Sequence, residues 1–300
     1  MVFDPCADKH AGFALVAVLV FMLIVSAIVA PFALVARSRL MIASNETEHQ
    51  RLSMVADGLV NVVASELFEG SATIKLPQNA EPARCHAGHF NFDLRIQDHR
   101  GLIDLNAAND ELLTQGVASF GFNPQAAAEI GKAIVTFRGP PNAFAAAAQP
   151  RSSLGPSQNK FAAFESVSEL QEFSALASIP LRDLYDVFTV NLRQGSIVLA
   201  KAPKRLRNFV NTGSQDSQPD GSDDSGGAVY TIEVIARRDG SGIAGQAGFV
   251  VEKSALAGAG FIRVSRMPAV EVDEVGPATP TITCDGLFGG AVAQTLGRWS

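Results

Sequence analysis

The sequence lacks a surplus of positive charge. It has 24 Lys or Arg against 30 Asp or Glu, which gives a formal net charge of −6 at pH 7. Proteins that bind nucleic acid need a basic surface, because neutralised phosphates provide most of the binding free energy. The composition therefore disfavours nucleic acid as the main partner.

The sequence also lacks the short motifs of common catalytic sites. It contains no Gly-x-Ser-x-Gly elbow, no phosphate-binding loop and no His-Glu-x-x-His helix. We therefore expect a non-enzymatic protein that acts by binding or assembly.

Cysteine is scarce. Cys6 precedes the long apolar run, and Cys85 and Cys284 follow it. If the first residues are removed and the remainder is exported, the last two can pair in an oxidising compartment. That bridge would close a very long loop and stabilise the fold by roughly 3–5 kcal/mol. The alternative is two buried free thiols.

Charge is absent from the 24 residues between Phe13 and Ala36. A helix of that length crosses a hydrocarbon core of about 30 Å. Residues 13–36 are therefore predicted to span a membrane.

The N-terminus has three interpretations. A removed signal peptide fits badly, because the leader is acidic and the apolar run is too long. An uncleaved anchor fits the length, but Arg37 and Arg39 follow the run and favour the opposite orientation. In the third interpretation the chain is cut between Gly12 and Phe13, so that the apolar segment stays on the mature protein.

The apolar run is predicted to continue as a longer helix. Hydrophobic residues recur at helical spacing as far as about Phe68, with charged residues between them. They are Leu52, Val55, Leu59, Val62 or Val63, and Leu67. The alternative is a separate amphipathic helix that follows a break at Ser44–Gln50.

Alternating patterns predict strands in the rest of the chain. Apolar and polar residues alternate strictly over Phe90–Gln97, as in a half-buried strand. Further strands are predicted at Tyr230–Arg237, Gly248–Lys253 and Phe261–Arg266. Together they favour an antiparallel sheet against the N-terminal helix.

A helical region interrupts these strands between about Gly101 and Asn191. Asn106 is predicted to cap one helix, and Asn123 with Pro124 a second helix that ends near Phe137. A capping box at Ser166–Glu169 predicts a further helix. The fold class is therefore α+β, with a helical unit inserted in a sheet domain.

The junction of Gly12 and Phe13 resembles the processing site of type IV prepilins and type II secretion pseudopilins. In those families a short leader ends in glycine, and the next residue becomes the N-methylated terminus. The fifth mature residue there is normally glutamate, whose buried charge needs a partner. Here that position is Ala17, which lacks the carboxylate that would attract the terminal ammonium of a neighbouring subunit.

Over most of residues 12–200, and more loosely to 266, the chain resembles the general secretion pathway protein K family, a minor pseudopilin of type II secretion. The resemblance rests on this junction, on Ala17, on "DHRGLIDLNAANDELL" and on "FESVSELQEFSALASIPLRDLYDVFTVN". It implies a pilin-like fold, in which a long N-terminal helix packs on an antiparallel sheet that carries a large inserted helical domain. The implied segments are a leader (1–12), a transmembrane part (13–36), the periplasmic half of the helix with the first strands (37–100), an inserted α-domain (101–192), the remaining sheet (193–267) and a C-terminal tail (268–300).

The resemblance also implies partners and a location. The expected partners are prepilin peptidase, the major pseudopilin and other minor pseudopilins at the tip of a periplasmic pseudopilus. The protein would cross the bacterial inner membrane once and place its head in the periplasm. Calcium sites occur in the resembled family, although their ligands do not map onto particular residues here.

The sequence contains two sets of residues of the types that bind metal ions. Hard oxygen ligands in the loop "SQDSQPDGSDDSGG" suit calcium, although a solvated linker is the simpler interpretation. A second cluster has the residue types that bind zinc, but its spacing matches no standard zinc site. The alternative is a disulfide at the cysteine, with the histidines solvated in loops. The calcium candidates are Asp216, Asp220, Asp223 and Asp224, and the zinc candidates are Cys85, His86, His89 and His99.

The alternative function is a membrane-anchored periplasmic DNA-binding protein. The inserted region resembles a helix-hairpin-helix module, because "LNAANDELL" is followed by a second helix. However, the predicted turn lacks a Gly-x-Gly sequence, and residues 101–192 hold nine acidic residues against five Lys or Arg. The charge therefore disfavours this alternative.

Overall fold

The computed structural model describes residues 11–69, 76–139, 154–156, 160–210, 228–255, 260–269 and 282–288. A long helix comes first, a five-stranded antiparallel sheet follows, and a helical insert lies between the second and third strands of that sheet. This arrangement confirms the predicted α+β class. The helices are α1 (Ala11–Glu69), α2 (Asp110–Ala118), α3 (Pro124–Arg138), α4 (Leu181–Tyr185) and α5 (Lys204–Arg207). The strands are β1 (Ala83–Ala87), β2 (Phe90–Asp98), β3 (Ile103–Asp104), β4 (Phe188–Thr189), β5 (Val229–Arg238), β6 (Ala244–Lys253) and β7 (Phe261–Arg266).

Helix α1 is continuous over 59 residues. The predicted extension to about Phe68 is confirmed, and the alternative of a break at Ser44–Gln50 is wrong. Every described side chain from Ala14 to Thr47 is exposed, whereas Leu52 is fully buried. One helix therefore combines a bare apolar segment with an amphipathic one.

The second part of α1 and the sheet share one apolar core. The sheet order is β1-β2-β5-β6-β7, and each neighbouring pair is antiparallel. Alternate residues of β2 and β5 point towards α1 because successive side chains of a strand lie on opposite faces. Core members include Leu52, Leu59, Val63, Phe92, Leu94, Ile96, Ile232 and Val234.

Contacts at both ends of this segment fix α1 on the sheet. At its C-terminal end Phe68 stacks on Phe261, with ring centroids 6.1 Å apart. Midway, Arg263 on β7 donates to both carboxylate oxygens of Asp57 at 2.9 Å and lies over the ring of Phe249. Near the start, the α1 backbone lies against Gly245 of β6, where a Cβ would come within 2.1 Å of the Ser53 nitrogen.

The helical insert has its own core. This second core contains buried residues from Ile103 to Val210, so it extends past the predicted boundary at residue 192. Strands β3 and β4 form a short parallel pair inside it. The buried carboxylate of Asp104 accepts hydrogen bonds from four backbone N–H groups, those of Asn106, Ala107, Leu192 and Arg193.

Some predicted details of the insert were wrong. Helix α2 is capped by Asn109, whose side chain accepts from the Leu112 N–H, and not by Asn106. Asn106 instead exchanges two hydrogen bonds with the backbone of Phe164, a contact between residues distant in sequence. The capping box at Ser166 is confirmed, but it opens a short 3-10 helix, Val167–Glu172.

The other predicted elements agree more closely with the structure. Asn123 caps α3 as predicted, and Pro124 is its first residue. The strands predicted at Phe90–Gln97, Tyr230–Arg237 and Phe261–Arg266 are confirmed to within one residue at each end. The strand predicted at Gly248 begins four residues earlier, at Ala244.

We expect Gly245→Ala to destabilise the head by about 1–3 kcal/mol, since the added methyl group overlaps the α1 backbone. Urea unfolding followed by far-UV circular dichroism measures this change. Gly242→Ala is the matched control, because a Cβ at that nearby glycine meets no atom within 4 Å. Equal urea midpoints for the two variants would contradict the close approach of α1 to β6.

Candidate assembly surfaces

The exposed apolar segment of α1 is a candidate surface for membrane insertion and for contact with other helices. It contains large exposed side chains over several turns, among them Leu15, Leu19, Phe21, Leu23, Ile28, Phe32 and Leu34. Within the described residues, α1 is the helix long and apolar enough to cross a membrane. A segment of this composition is stable in lipid, since a helix satisfies all its backbone groups internally.

The predicted processing residues lie at the start of α1. The helix begins at Ala11, so Gly12 and Phe13 are in its first turn. Ala17 follows about one turn later and is exposed. Because residues 13–36 contain no acid, this surface offers no carboxylate to an ammonium group of a neighbouring subunit.

The predicted cysteine pair is brought together in the structure. Cys85 on β1 and Cys284 form a disulfide across 199 residues of chain, and both are buried. In the same C-terminal segment, the Ile282 carbonyl accepts a hydrogen bond from the His86 N–H at 3.0 Å, and Phe288 lies in the core with α1. This segment therefore covers the outer edge of β1.

The zinc cluster considered from the sequence is not assembled. Cys85 is in the disulfide, and His99 is buried in hydrogen bonds to two threonines. The described residues contain no group of three or more metal-ligating side chains. The calcium candidates Asp216, Asp220, Asp223 and Asp224 lie outside the described residues, as does Cys6.

A set of charged side chains missed by the sequence analysis lies between the sheet and the insert. Glu233 on β5 accepts from Arg182 of α4 at 2.7 Å and lies 3.5 Å from Arg95 of β2. Arg95 also donates to Asp186 at 2.8 Å. A glutamate in the middle of the apolar strand "VYTIEVIARR" was the signal that could have revealed it, because a buried charge requires partners.

Two opposing effects set the pKa values of these groups: burial favours the neutral form, and a partner of opposite charge favours the charged form. Burial raises the pKa of the Glu233 carboxyl more than Arg182 and Arg95 lower it. For Arg95, burial is outweighed by Asp186 and Glu233, so its pKa is raised. For the carboxyl of Asp98, burial is outweighed by hydrogen bonds and charge from Arg100 and Lys201, which lower its pKa.

His99 lies at the same boundary. Its Nδ1 is 2.7 Å from the Thr189 hydroxyl on β4, and its Nε2 is 2.8 Å from the Thr231 hydroxyl on β5. Burial lowers its pKa to about 4, although the charge of Asp98 opposes this shift. The ring is therefore neutral at pH 7 and joins the insert to the sheet.

The α2–α3 hairpin has the connectivity of a helix-hairpin-helix module but little free positive charge. In its turn, Gly121 has a positive φ of 90°. Arg205 of α5 lies over the ring of Phe120 and pairs with Asp183 at 2.9 Å. Arg138 of α3 donates to the carbonyls of Leu105 and Ala108. These arginines stabilise the insert itself.

Comparison with solved structures found similar chains. No family model and no curated protein match the chain. A chain in the solved GspK-GspI-GspJ complex from the type 2 secretion system of enterotoxigenic Escherichia coli has a TM-score of 0.48 and 10% sequence identity. The match covers 79% of the present chain and 99% of that chain.

Removing the disulfide should cost about 2–5 kcal/mol of stability, because it closes a long loop and holds Phe288 in the core. Cys284→Ser is expected to lower the urea midpoint of the purified full-length protein by the corresponding amount. Cys6→Ser is the control and should leave the midpoint unchanged. A Cys284→Ser protein that unfolds at the same urea concentration as the unmodified chain would show that the bridge does not form.

Proposed function

We propose that this chain is a minor pseudopilin of a type II secretion system, a non-enzymatic assembly subunit at the tip of the periplasmic pseudopilus. Prepilin peptidase cuts it after Gly12 and the new terminus, Phe13, is N-methylated. The apolar segment spans the inner membrane once, and the head lies in the periplasm.

The division of α1 into two kinds of surface carries this proposal. Residues 14–47 are exposed and largely apolar, whereas the segment from Leu52 to Phe68 contributes to the core of the head. A subunit of a helical bundle needs this division, because one part of the helix must contact lipid or other helices while the other holds the head. A removable signal peptide requires no such continuity with a folded domain.

The missing acid at position 17 supports the tip position. A buried carboxylate in the apolar segment would be costly unless it paired with the terminal ammonium of another subunit. With Ala17, the chain cannot attract a subunit in this way. It is therefore suited to the first or capping position of the filament, where the head contacts other minor pseudopilins.

Calcium is part of the proposal only as a loop-stabilising ion. Asp216, Asp220, Asp223 and Asp224 supply the hard oxygen ligands that calcium prefers. Such an ion would bind the segment of sequence that precedes β5.

The mature N-terminus provides the first test. When the chain is co-expressed with a prepilin peptidase, intact-mass and peptide mass spectrometry should find a protein that begins at N-methylated Phe13. Expression without the peptidase is the control and should yield the longer chain. A chain that keeps Met1 in the presence of the peptidase, or one cut after residue 30, would contradict the proposal.

The second test introduces the missing acid. Ala17→Glu should leave membrane insertion intact but lower secretion several-fold, because the new carboxylate attracts the terminal ammonium of another subunit and disturbs the order of assembly. Ala17→Gln is the matched control, with nearly the same size and no charge. Secretion of a type II substrate and co-purification with the other pseudopilins are the measurements. Normal values for both in Ala17→Glu would remove the role of position 17.

The DNA-binding alternative is tested by gel shift with the detergent-solubilised full-length protein. We expect no shift at physiological salt, because the insert is acidic, Arg205 is paired with Asp183 and Arg138 is bonded to a backbone carbonyl. Tight binding that weakens steeply with added salt would overturn the secretion proposal.

A further inference from the structure

The head contains two apolar cores that share no described residue. The first joins α1 to the sheet, and the second lies within the insert and its extension to Val210. A small third cluster of Val229, Val250 and Met267 on the sheet receives Tyr185 from the insert. Each core is therefore built from its own set of residues.

The boundary between the two cores is mostly polar, and we call it the seam. It contains the ion pairs Arg182–Glu233 and Arg95–Asp186 and a hydrogen bond from the Gln97 amide to the Lys201 carbonyl. These ion pairs are partly buried, so desolvation offsets much of their attraction, but they require a defined geometry. The seam therefore fixes how the insert docks more than it strengthens the fold.

His99 occupies a special position in the seam. The residue is only 3% exposed. One ring nitrogen contacts the hydroxyl of Thr189 in the insert, and the other contacts the hydroxyl of Thr231 in the sheet. A neutral ring matches this environment by donating through one nitrogen and accepting through the other. A protonated ring loses the accepted hydrogen bond and places a cation where water is excluded.

The charges around His99 do not offer it a free counter-ion. On its own side Asp98 pairs with Arg100 and Lys201, and on β5 Glu233 pairs with Arg182 of α4 and lies near Arg95 of β2. Asp186, at the end of α4, pairs with Arg95. From β4 and β5 themselves, the groups that contact the ring are the uncharged hydroxyls of Thr189 and Thr231.

We propose that the insert is a docked module and that protonation of His99 releases it from the sheet while both cores stay folded. This inference concerns the head alone and does not depend on the proposed role in secretion.

The direction of the effect follows from proton binding. The pKa of docked His99 is about 4, against 6.5 for an exposed histidine, so an undocked head binds the proton more tightly. Docking is therefore fully favoured above pH 6.5 and weakens down to pH 4, by roughly 75-fold at pH 4.5. Glu233 acts with the opposite sign because burial raises its pKa, so the net release is smaller than this.

The experiment measures docking and folding separately in the full-length protein in detergent. A Cys6→Ser background carries Lys132→Cys on α3 and Lys253→Cys on β6, two exposed sites for a fluorescent donor and acceptor. Urea is titrated at pH 7.5 and at pH 4.5, and energy transfer reports docking while far-UV circular dichroism reports the cores. We expect acid to lower the urea midpoint for loss of energy transfer well below the midpoint for loss of helix.

His99→Gln in the same background tests the trigger, because glutamine keeps a donor and an acceptor but does not titrate. We expect it to remove most of the acid shift, whereas His89→Gln, at an exposed histidine in the β1–β2 turn, should keep it. The labelled protein that retains His99 tests whether the insert is released while the cores stay folded. Coincident transitions for energy transfer and circular dichroism at pH 4.5 would contradict that release. An equal acid shift in a folded His99→Gln protein would overturn the role of His99.

Discussion

The packing of the α1 segment from Leu52 to Phe68 on the sheet is the contact on which the rest of this fold depends. It buries one face of the helix against β2, β5 and β6 and forms the core of the sheet domain. Without it, the sheet would expose its apolar face and the apolar N-terminal segment would have no folded domain. The close contact at Gly245 shows how tightly this packing is specified, since no side chain fits between β6 and the helix backbone.

The same helix must satisfy two different environments. Up to about Thr47 its side chains are exposed and mostly apolar. From Leu52 onward, apolar side chains on one face are buried and polar side chains lie between them in the sequence. Hydrocarbon and a protein core select for similar residues, so a sequence pattern alone separates the two parts only through polar residues such as Glu46, Glu48 and Arg51. The structure separates them by burial.

Much of the fold could be predicted because its signals are local. The alternation in β2, the Asn-Pro start of α3 and the apolar length of α1 each lie within one element. What could not be predicted depended on contacts distant in sequence. Asn106 and Asn109 are both residues that favour a helix N-cap position. Asn106 instead hydrogen-bonds to the backbone of Phe164, 58 residues away in sequence, and Asn109 caps the helix.

The candidate sites divide in the same way. The disulfide could be predicted by counting cysteines, because only two follow the apolar run. His99 was not, because a lone histidine after a strand carries no sign of burial. Its two threonine partners come from β4, a strand of two residues, and from β5, more than a hundred residues later in the chain.

The insert has its own core, separate from the core in which α1 packs on the sheet. Because the two cores contain different residues, a substitution in the core of the insert does not change the residues that pack α1 on the sheet. A fully apolar boundary would tie the two cores together more strongly but would tolerate many packing arrangements. The partly buried pairs Arg182–Glu233 and Arg95–Asp186 require a defined geometry, so they favour one orientation of the insert relative to the sheet.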